Sequence, residues 1–179
     1  VVSAGAEADF DLGLRVNLDG MRTLLEACRA QKAPPRIVFP SSVAAFGGEL
    51  PDTVIDTTAP TPQSSYGTQK VIGELLVNDY TRKGYIDGRT VRLPTIVVRP
   101  GKPNRAASGF MSTILREPMN GELAVCPVLP EAQMWILSPQ RAVDALIHAM
   151  ELPASAWGWN RTLNVPGITV SVAQALSAL

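Results

Sequence analysis

The sequence predicts an α/β fold, the second half of a doubly wound parallel sheet with part of a small C-terminal lobe. Three observations carry that prediction. The apolar run Ile37-Val38-Phe39 follows one helix-patterned stretch and precedes another. A second strand-like segment, residues 90–98, comes after the second helix. Two short strands separated by a long helix read as a βαβ unit, which implies parallel strands and a right-handed crossover.

The elements follow in order. Residues 9–31 carry Leu14, Leu18, Met21, Leu24, Leu25 and Cys28 at helical spacing. Pro34-Pro35 ends that helix, since proline lacks an N–H and clashes with the preceding turn. The run 37–39 has the unalternating pattern of a strand covered on both faces. Residues 43–64 hold Gly47-Gly48, Pro51, Pro60 and Pro62 and read as loop. Ser64 or Ser65 is a suitable N-cap for a helix to about Arg82, with Val71, Ile72, Leu75 and Leu76 as its buried stripe. Gly84 and Gly88 break the chain before strand 90–98, which Pro94 interrupts.

Beyond Pro100 the pattern loosens. Residues 109–117 read as a short helix, and 123–125 and 135–137 as short strands. Ser138-Pro139 is a cap with proline at the first helical position, opening a helix to about Met150. Residues 161–165 read as a last strand. The opening Val1-Val2-Ser3-Ala4-Gly5 resembles the exit of a strand, and 169–179 a helix cut after two turns. With no initiator methionine, the expectation is an internal fragment of a longer protein.

Composition removes several function classes. The 179 residues fit one domain, and 46% hydrophobic residues suffice for a core. Sixteen basic and 16 acidic residues, dispersed and summing to zero, argue against nucleic acid or an anionic membrane surface as partner. Cys28 and Cys126 lack metal-ligand spacing and read as buried thiols of a reducing, cytoplasmic compartment. A single histidine, His148, excludes a multi-histidine metal site; it reads as a packed or capping residue. No apolar run has the length of a membrane span.

One spacing points to chemistry. Tyr66 and Lys70 stand four residues apart, on one face of the second helix. A free phenol titrates near about 10 and is a poor base at neutrality. A neighbouring ammonium favours the phenolate. The serine pair Ser41-Ser42 ends the preceding strand and offers a hydroxyl to hold a substrate oxygen. Such a pair alone is also what an exposed helix with no function shows. The full order of helix, strand ending in serine, loop, Tyr66-x-x-x-Lys70 and strand ending at Pro94 is far more specific.

That order resembles the extended short-chain dehydrogenase/reductase family, which includes the NAD-dependent epimerases and dehydratases. The helix from Asn17 to Ala27, the strand Ile37 to Ser42 with Phe46-Gly47, Tyr66 to Lys70, Val91 to Thr95, and Ala142 to Ala145 each match a family motif. The resemblance implies a Rossmann-type fold. Residues 1–100 would be the C-terminal half of an NAD(P)-binding domain carrying the catalytic residues. Residues 101–179 would be substrate-lobe segments, with returning Rossmann elements at about 138–165. It implies Tyr66 as general acid/base, Lys70 as ribose ligand and phenolate stabiliser, and Ser42 (with Ser41 as the alternative) as the hydroxyl on the substrate oxygen. Asn17 would support a proton relay. Pro94, Ile96 and Val97 would face the nicotinamide of NAD, with NADP not excluded. A homodimer through a four-helix bundle is implied as well.

Two departures matter. The family's glycine-rich phosphate turn is absent, and its place is upstream of Val1. Thr95 stands where members acting on nucleotide-sugars usually place a diphosphate-binding asparagine. The stretch 93–104 instead resembles the sugar-acid dehydrogenase branch, close to D-erythronate dehydrogenases. A substrate carboxylate calls for a bidentate arginine, so Arg99, Arg105 and Arg116 are candidates. Ser3, Ser108 and Thr95 are further candidate substrate contacts. The alternatives are a nucleotide-sugar epimerase or dehydratase, a non-catalytic dinucleotide-binding regulator, and a structural scaffold domain.

Overall fold

The protein is described by a computed structural model covering residues 1–101 and 107–179. Its centre is a parallel sheet in the order β1 (Arg36–Ser42), β2 (Asp87–Leu93), β5 (Thr162–Asn164). Helix α4 (Ser65–Arg82) connects β1 to β2, which pair in parallel from Arg36↔Asp87 to Ser42↔Leu93. Ser64 caps α4, its hydroxyl accepting from the Gly67 amide.

The sheet is covered on both faces, as the unalternating apolar run requires. On one side Met21 and Leu25 of α3 (Gly20–Arg29) and Val77 of α4 pack with Ile86, Ile37 and Phe39. On the other, Ala145, Leu146 and Ala149 of α6 (Pro139–Glu151) pack with Val38, Val91 and Trp157. Ser138 caps α6, with Pro139 at its first position, as the dipeptide predicts. Arg89, fully buried on β2, donates to the Ala149 and Met150 carbonyls at 2.5 and 2.9 Å, placing a cation at the C-terminal end of α6.

Pro94 does more than interrupt a strand. The chain leaves the parallel sheet there and enters a second one, in the order β3 (Thr95–Ile96), β4 (Gln133–Leu137), β6 (Ile168–Ser171). The β3–β4 pair is parallel and the β4–β6 pair antiparallel. Helices α5 (Phe110–Met119) and α7 (Val172–Leu176) close a separate core with Val97, Met111, Ile114 and Val172.

Several expectations change. The opening is a short helix, α1 (Ser3–Ala8), rather than a strand exit. The expected first helix is three segments: α2 (Phe10–Gly13), a π-helical stretch Leu14–Asp19, and α3. β1 runs on through Pro40, tolerated because among the described residues β1 pairs with β2 alone and needs no amide there. Residues 123–125 form no strand: Leu123 and Val125 are exposed, Ala124 packs on the second core, and among the described residues no strand pairs with the segment. The last stretch is β6 and α7, where Ser171 and Gln174 form a reciprocal cap, rather than one helix. His148 is exposed rather than packed. Among the described residues no helix is long and apolar enough to cross a membrane.

Two glycines set how closely α4 approaches β1. A Cβ at Gly73 would lie 2.7 Å from Phe39 Cζ, and one at Gly67 would collide with the Ala44 carbonyl oxygen. In the full-length protein, Gly73→Ala should therefore lower stability by about 1–3 kcal/mol, the usual cost of overpacking. Gly67→Ala should cost more, because backbone yields less readily than a ring. Denaturant midpoints check both, and unchanged midpoints would mean that this close approach is not required.

Candidate active site

The site forms where the N-terminal half of α4 lies across the C-terminal end of β1. Residues 66, 70 and 74 share one face of α4 because they are four apart. Each meets a different part of the strand end. The Ser42 hydroxyl lies beside the Tyr66 phenol and favours its phenolate form. Lys70 Nζ donates to the Pro40 carbonyl at 2.8 Å. Glu74 Oε1 accepts from Ser41 Oγ at 2.5 Å. Lys70 Nζ stands 5.6 Å from the Tyr66 ring centroid and 4.7 Å from that of Phe39.

This geometry separates the two serines. Ser42 turns to Tyr66 and caps the short turn Val43–Ala45, accepting from the Ala44 amide at 3.1 Å. Ser41 is 4% exposed and donates its hydroxyl to Glu74.

Burial dominates the electrostatics. It pushes the Tyr66 phenol above its ordinary value, with the Ser42 hydrogen bond pulling the other way. It pushes the Lys70 ammonium below its ordinary value, with the Glu74 carboxylate opposing. The sequence predicts a phenol lowered by Lys70; the buried setting outweighs that here. Both shifts have one cause, since a low dielectric disfavours phenolate and ammonium alike. Forming the two together as an ion pair offsets the penalty each carries alone.

Asn17 lies in the π-helical stretch, a departure from regular helix that recurs at functional sites. Its amide donates to Gln69 Oε1 at 2.8 Å and to the Val1 carbonyl at 3.0 Å. It thus reaches α4 beside Lys70, through Gln69. Pro94 and Val97 flank β3, and the Val97 amide donates to the Leu137 carbonyl at 2.8 Å. Thr95, at the start of β3, is 6% exposed. Ser3 is half-buried in α1, and Ser108 half-buried in the turn Ala107–Gly109.

The arginines part company. Arg116 Nη1 donates to the Arg99 carbonyl at 2.6 Å and its Nη2 pairs with Glu117, so its guanidinium is engaged within the fold. The Arg99 amide donates to Ser112 Oγ at 3.0 Å. Arg99 is therefore held by its backbone from both sides, and its guanidinium has no hydrogen bond or ion pair among the described residues. Arg105 lies outside the described residues.

A cavity of about 680 Å³ adjoins the site, lined by Val43, Phe46, Asp52, Trp135 and Asn164 among others. It opens where the parallel sheet ends and the second sheet begins, the usual place for ligands in such folds. A second cavity of about 750 Å³ is lined by Val97, Arg141, Asp144 and His148, and none of Tyr66, Lys70 and Ser42 lines either cavity.

The donor set fits the nicotinamide–ribose end of a dinucleotide. An ammonium has three donors. Pro40 takes one from Lys70 and leaves two for ribose hydroxyls.

Sequence reasoning missed Glu74 and its partner Arg92. The available signal was a lone carboxylate four residues past Lys70, amid Val71, Ile72, Gly73, Leu75 and Leu76.

Two curated relatives are named D-erythronate dehydrogenase. One, from Cupriavidus necator, is 58% identical over the whole chain, which covers 55% of that protein. The other, from Haemophilus influenzae, is 54% identical over the whole chain and is covered to 57%. The chain thus spans little more than half the length of these relatives. Among solved structures, one described as a nucleoside-diphosphate-sugar epimerase from Agrobacterium tumefaciens superposes with TM-score 0.91 at 50% identity, over 97% of this chain and 52% of its own. The L-threonine 3-dehydrogenase of Trypanosoma brucei superposes with TM-score 0.88 at 30% identity, over 97% of this chain and 54% of its own. With a family match running over residues 6–165, the chain belongs to the NAD-dependent epimerase/dehydratase family.

Proposed function

We propose that the chain is the catalytic part of an NAD-dependent dehydrogenase that oxidises a secondary alcohol of a small sugar acid such as D-erythronate. The arrangement of Tyr66, Ser42 and Lys70 at the end of β1 carries the reading. The two relatives named D-erythronate dehydrogenase support the substrate class. NADP is the alternative carrier.

Tyr66, as phenolate, takes the proton from the substrate hydroxyl. Ser42 donates to the same oxygen while charge develops on it, a combination of general-base and electrostatic catalysis. Lys70 places an ammonium beside the phenolate and turns its remaining donors toward ribose hydroxyls. A bound dinucleotide would supply the hydride acceptor for the carbon that bears this hydroxyl. Pro94, Ile96 and Val97 form the backbone facing the nicotinamide, and Asn17 links the site to solvent for proton relay.

Arg99 is the preferred carboxylate clamp, because its backbone is fixed by α5 while its guanidinium is unspent within the described residues. Thr95, Ser3 and Ser108 are the neighbouring polar groups assigned to substrate. Arg116 serves by holding Arg99. Arg105 keeps its place as a sequence-level candidate.

We further propose a cytoplasmic homodimer. Leu75, expected in the buried stripe of α4, is instead 65% exposed, and Val16 of the π-helical stretch and Leu24 of α3 are 48% and 52% exposed. Pairing these helices with a second copy would bury these side chains in a four-helix bundle.

A second reading, nucleotide-sugar epimerisation, draws on the description of the Agrobacterium structure. Thr95 counts against it, since its short hydroxyl is a poorer diphosphate donor than an asparagine amide.

Assays on the full-length protein decide between them. NAD reduction should be seen with four-carbon aldonates and UDP-sugar epimerisation should be absent; the reverse pattern would restore the epimerase. Tyr66→Phe should lower kcat by about 10²–10⁴-fold with the fold intact, the usual contribution of a general base. A variant retaining more than a third of wild-type rate would remove Tyr66 from the mechanism.

Ser42→Ala removes a hydrogen bond that favours the phenolate. The phenol then titrates at still higher pH, and the rising limb of the oxidation rate should move upward in pH. An overlay with wild type would refute that role. Arg99→Ala should raise KM for the sugar acid by about tenfold or more, the scale of one lost charge-assisted contact at about 1.5–3 kcal/mol. KM for NAD should be unchanged.

Leu75→Glu should shift the protein toward monomer in sedimentation, and an unchanged dimer would place the interface elsewhere.

A further inference from the structure

Glu74 is the third residue on the catalytic face of α4, at i+4 from Lys70 and i+8 from Tyr66. It is 4% exposed, and so is Arg92 on β2. Arg92 Nε and Nη2 donate to the two carboxylate oxygens at 2.9 and 2.7 Å, a bidentate fork from sheet to helix. Ser41 Oγ donates to the same carboxylate. The guanidinium carbon stands 4.8 Å from the Phe46 ring centroid, and its Nη1 has no partner.

Two charges removed from water seldom hold a fold together better than apolar side chains of equal volume. This pair therefore calls for a role other than stability. Its position supplies one. Three consecutive residues of the β1 end, Pro40, Ser41 and Ser42, are gripped by Lys70, Glu74 and Tyr66 in turn. Of the three grips, the one at Glu74 is closed off from solvent and locked from a second strand.

We propose that Glu74, clamped by Arg92 and Ser41, is a positioning residue that fixes α4 against the end of β1 and presents a carboxylate to Lys70. The proposal rests on the reading of Tyr66, Lys70 and Ser42 as the proton-transfer set. The groups around Lys70 are Tyr66 and Glu74 from its own helix and the Phe39 ring and Pro40 carbonyl from β1, with Arg92 of β2 behind Glu74. Glu74 is the one carboxylate that acts on Lys70 among the described residues, and it opposes the effect of burial. Without it the ammonium loses its proton at lower pH, and the alkaline limit of turnover falls with it.

The test compares wild type, Glu74→Gln and Glu74→Gln/Arg92→Met in the full-length protein. The single variant leaves a buried guanidinium unpaired and is prone to misfolding. The double variant removes both charges and keeps apolar volume, so its thermal midpoint should stay near wild type.

In the double variant kcat should fall roughly tenfold, within the loss of about 10²-fold that a small misplacement can cause. KM for the sugar acid should not change, which marks a loss confined to the transition state. The alkaline limb should move down, by less than the shift of one lost neighbouring charge, because loss of the more distant guanidinium offsets part of it. Titration of Lys70, followed by NMR of lysine labelled at Cε and assigned with Lys70→Arg, should move down as well.

A folded double variant with an unchanged Lys70 titration and an unchanged pH–rate profile overturns the proposal. The NMR measurement needs no substrate. If wild type turned over neither sugar acids nor nucleotide-sugars, the catalytic reading would fail while the Lys70 titration still decided the role of Glu74.

Discussion

The structure depends on how closely α4 lies against the end of β1. That contact brings a phenol, an ammonium and a hydroxyl into one buried place, although Ser42 and Lys70 are far apart in the chain. Gly67 and Gly73 permit it, since neither has a side chain to hold helix and strand apart. The parallel pairing of β1 and β2 then aims both strand ends the same way, so the segment after Pro94 leaves the sheet beside the site. Loosening this one contact would disperse the chemistry without unfolding either element.

Burial both enables and penalises the site. A phenol and an ammonium removed from water each resist charging, and their shifts run toward neutrality on both groups. An ion pair between them would answer that resistance, and Glu74 and Ser42 each favour the charged form of one partner. A solvent-exposed pair at the same spacing would keep ordinary titration behaviour and make a weaker base. The distinction is one of setting, and residue identity alone does not reveal it.

Periodicity and punctuation made most of the fold legible. The βαβ unit, the Ser64 and Ser138 caps and the break at Pro94 are local signals, and each falls where the sequence predicts it. The misses have tertiary causes. The π-helical stretch Leu14–Asp19 interrupts a run whose helical spacing gives no sign of it. Residues 123–125 have strand-like composition but no partner strand. In the site, the closeness of Tyr66 and Lys70 was legible from their spacing, while Ser42 was singled out from Ser41 by the family resemblance. Glu74 was not legible, because its significance lies in Arg92 and Ser41, which only the folded sheet brings to it. Likewise Arg99 and Arg116 look alike in sequence, and hydrogen bonds from α5 give them different work.

The central claim is that Tyr66, Ser42 and Lys70 form one proton-transfer site for a sugar-acid alcohol. A crystal structure of the full-length protein with NADH and a four-carbon aldonate tests it most directly. The account predicts the reacting oxygen within hydrogen-bond distance of both Tyr66 Oη and Ser42 Oγ, Lys70 Nζ on the ribose hydroxyls, and the carboxylate on the Arg99 guanidinium. An aldonate seated instead in the cavity lined by Arg141 and His148, with Tyr66 and Ser42 out of reach of its hydroxyls, would contradict the account.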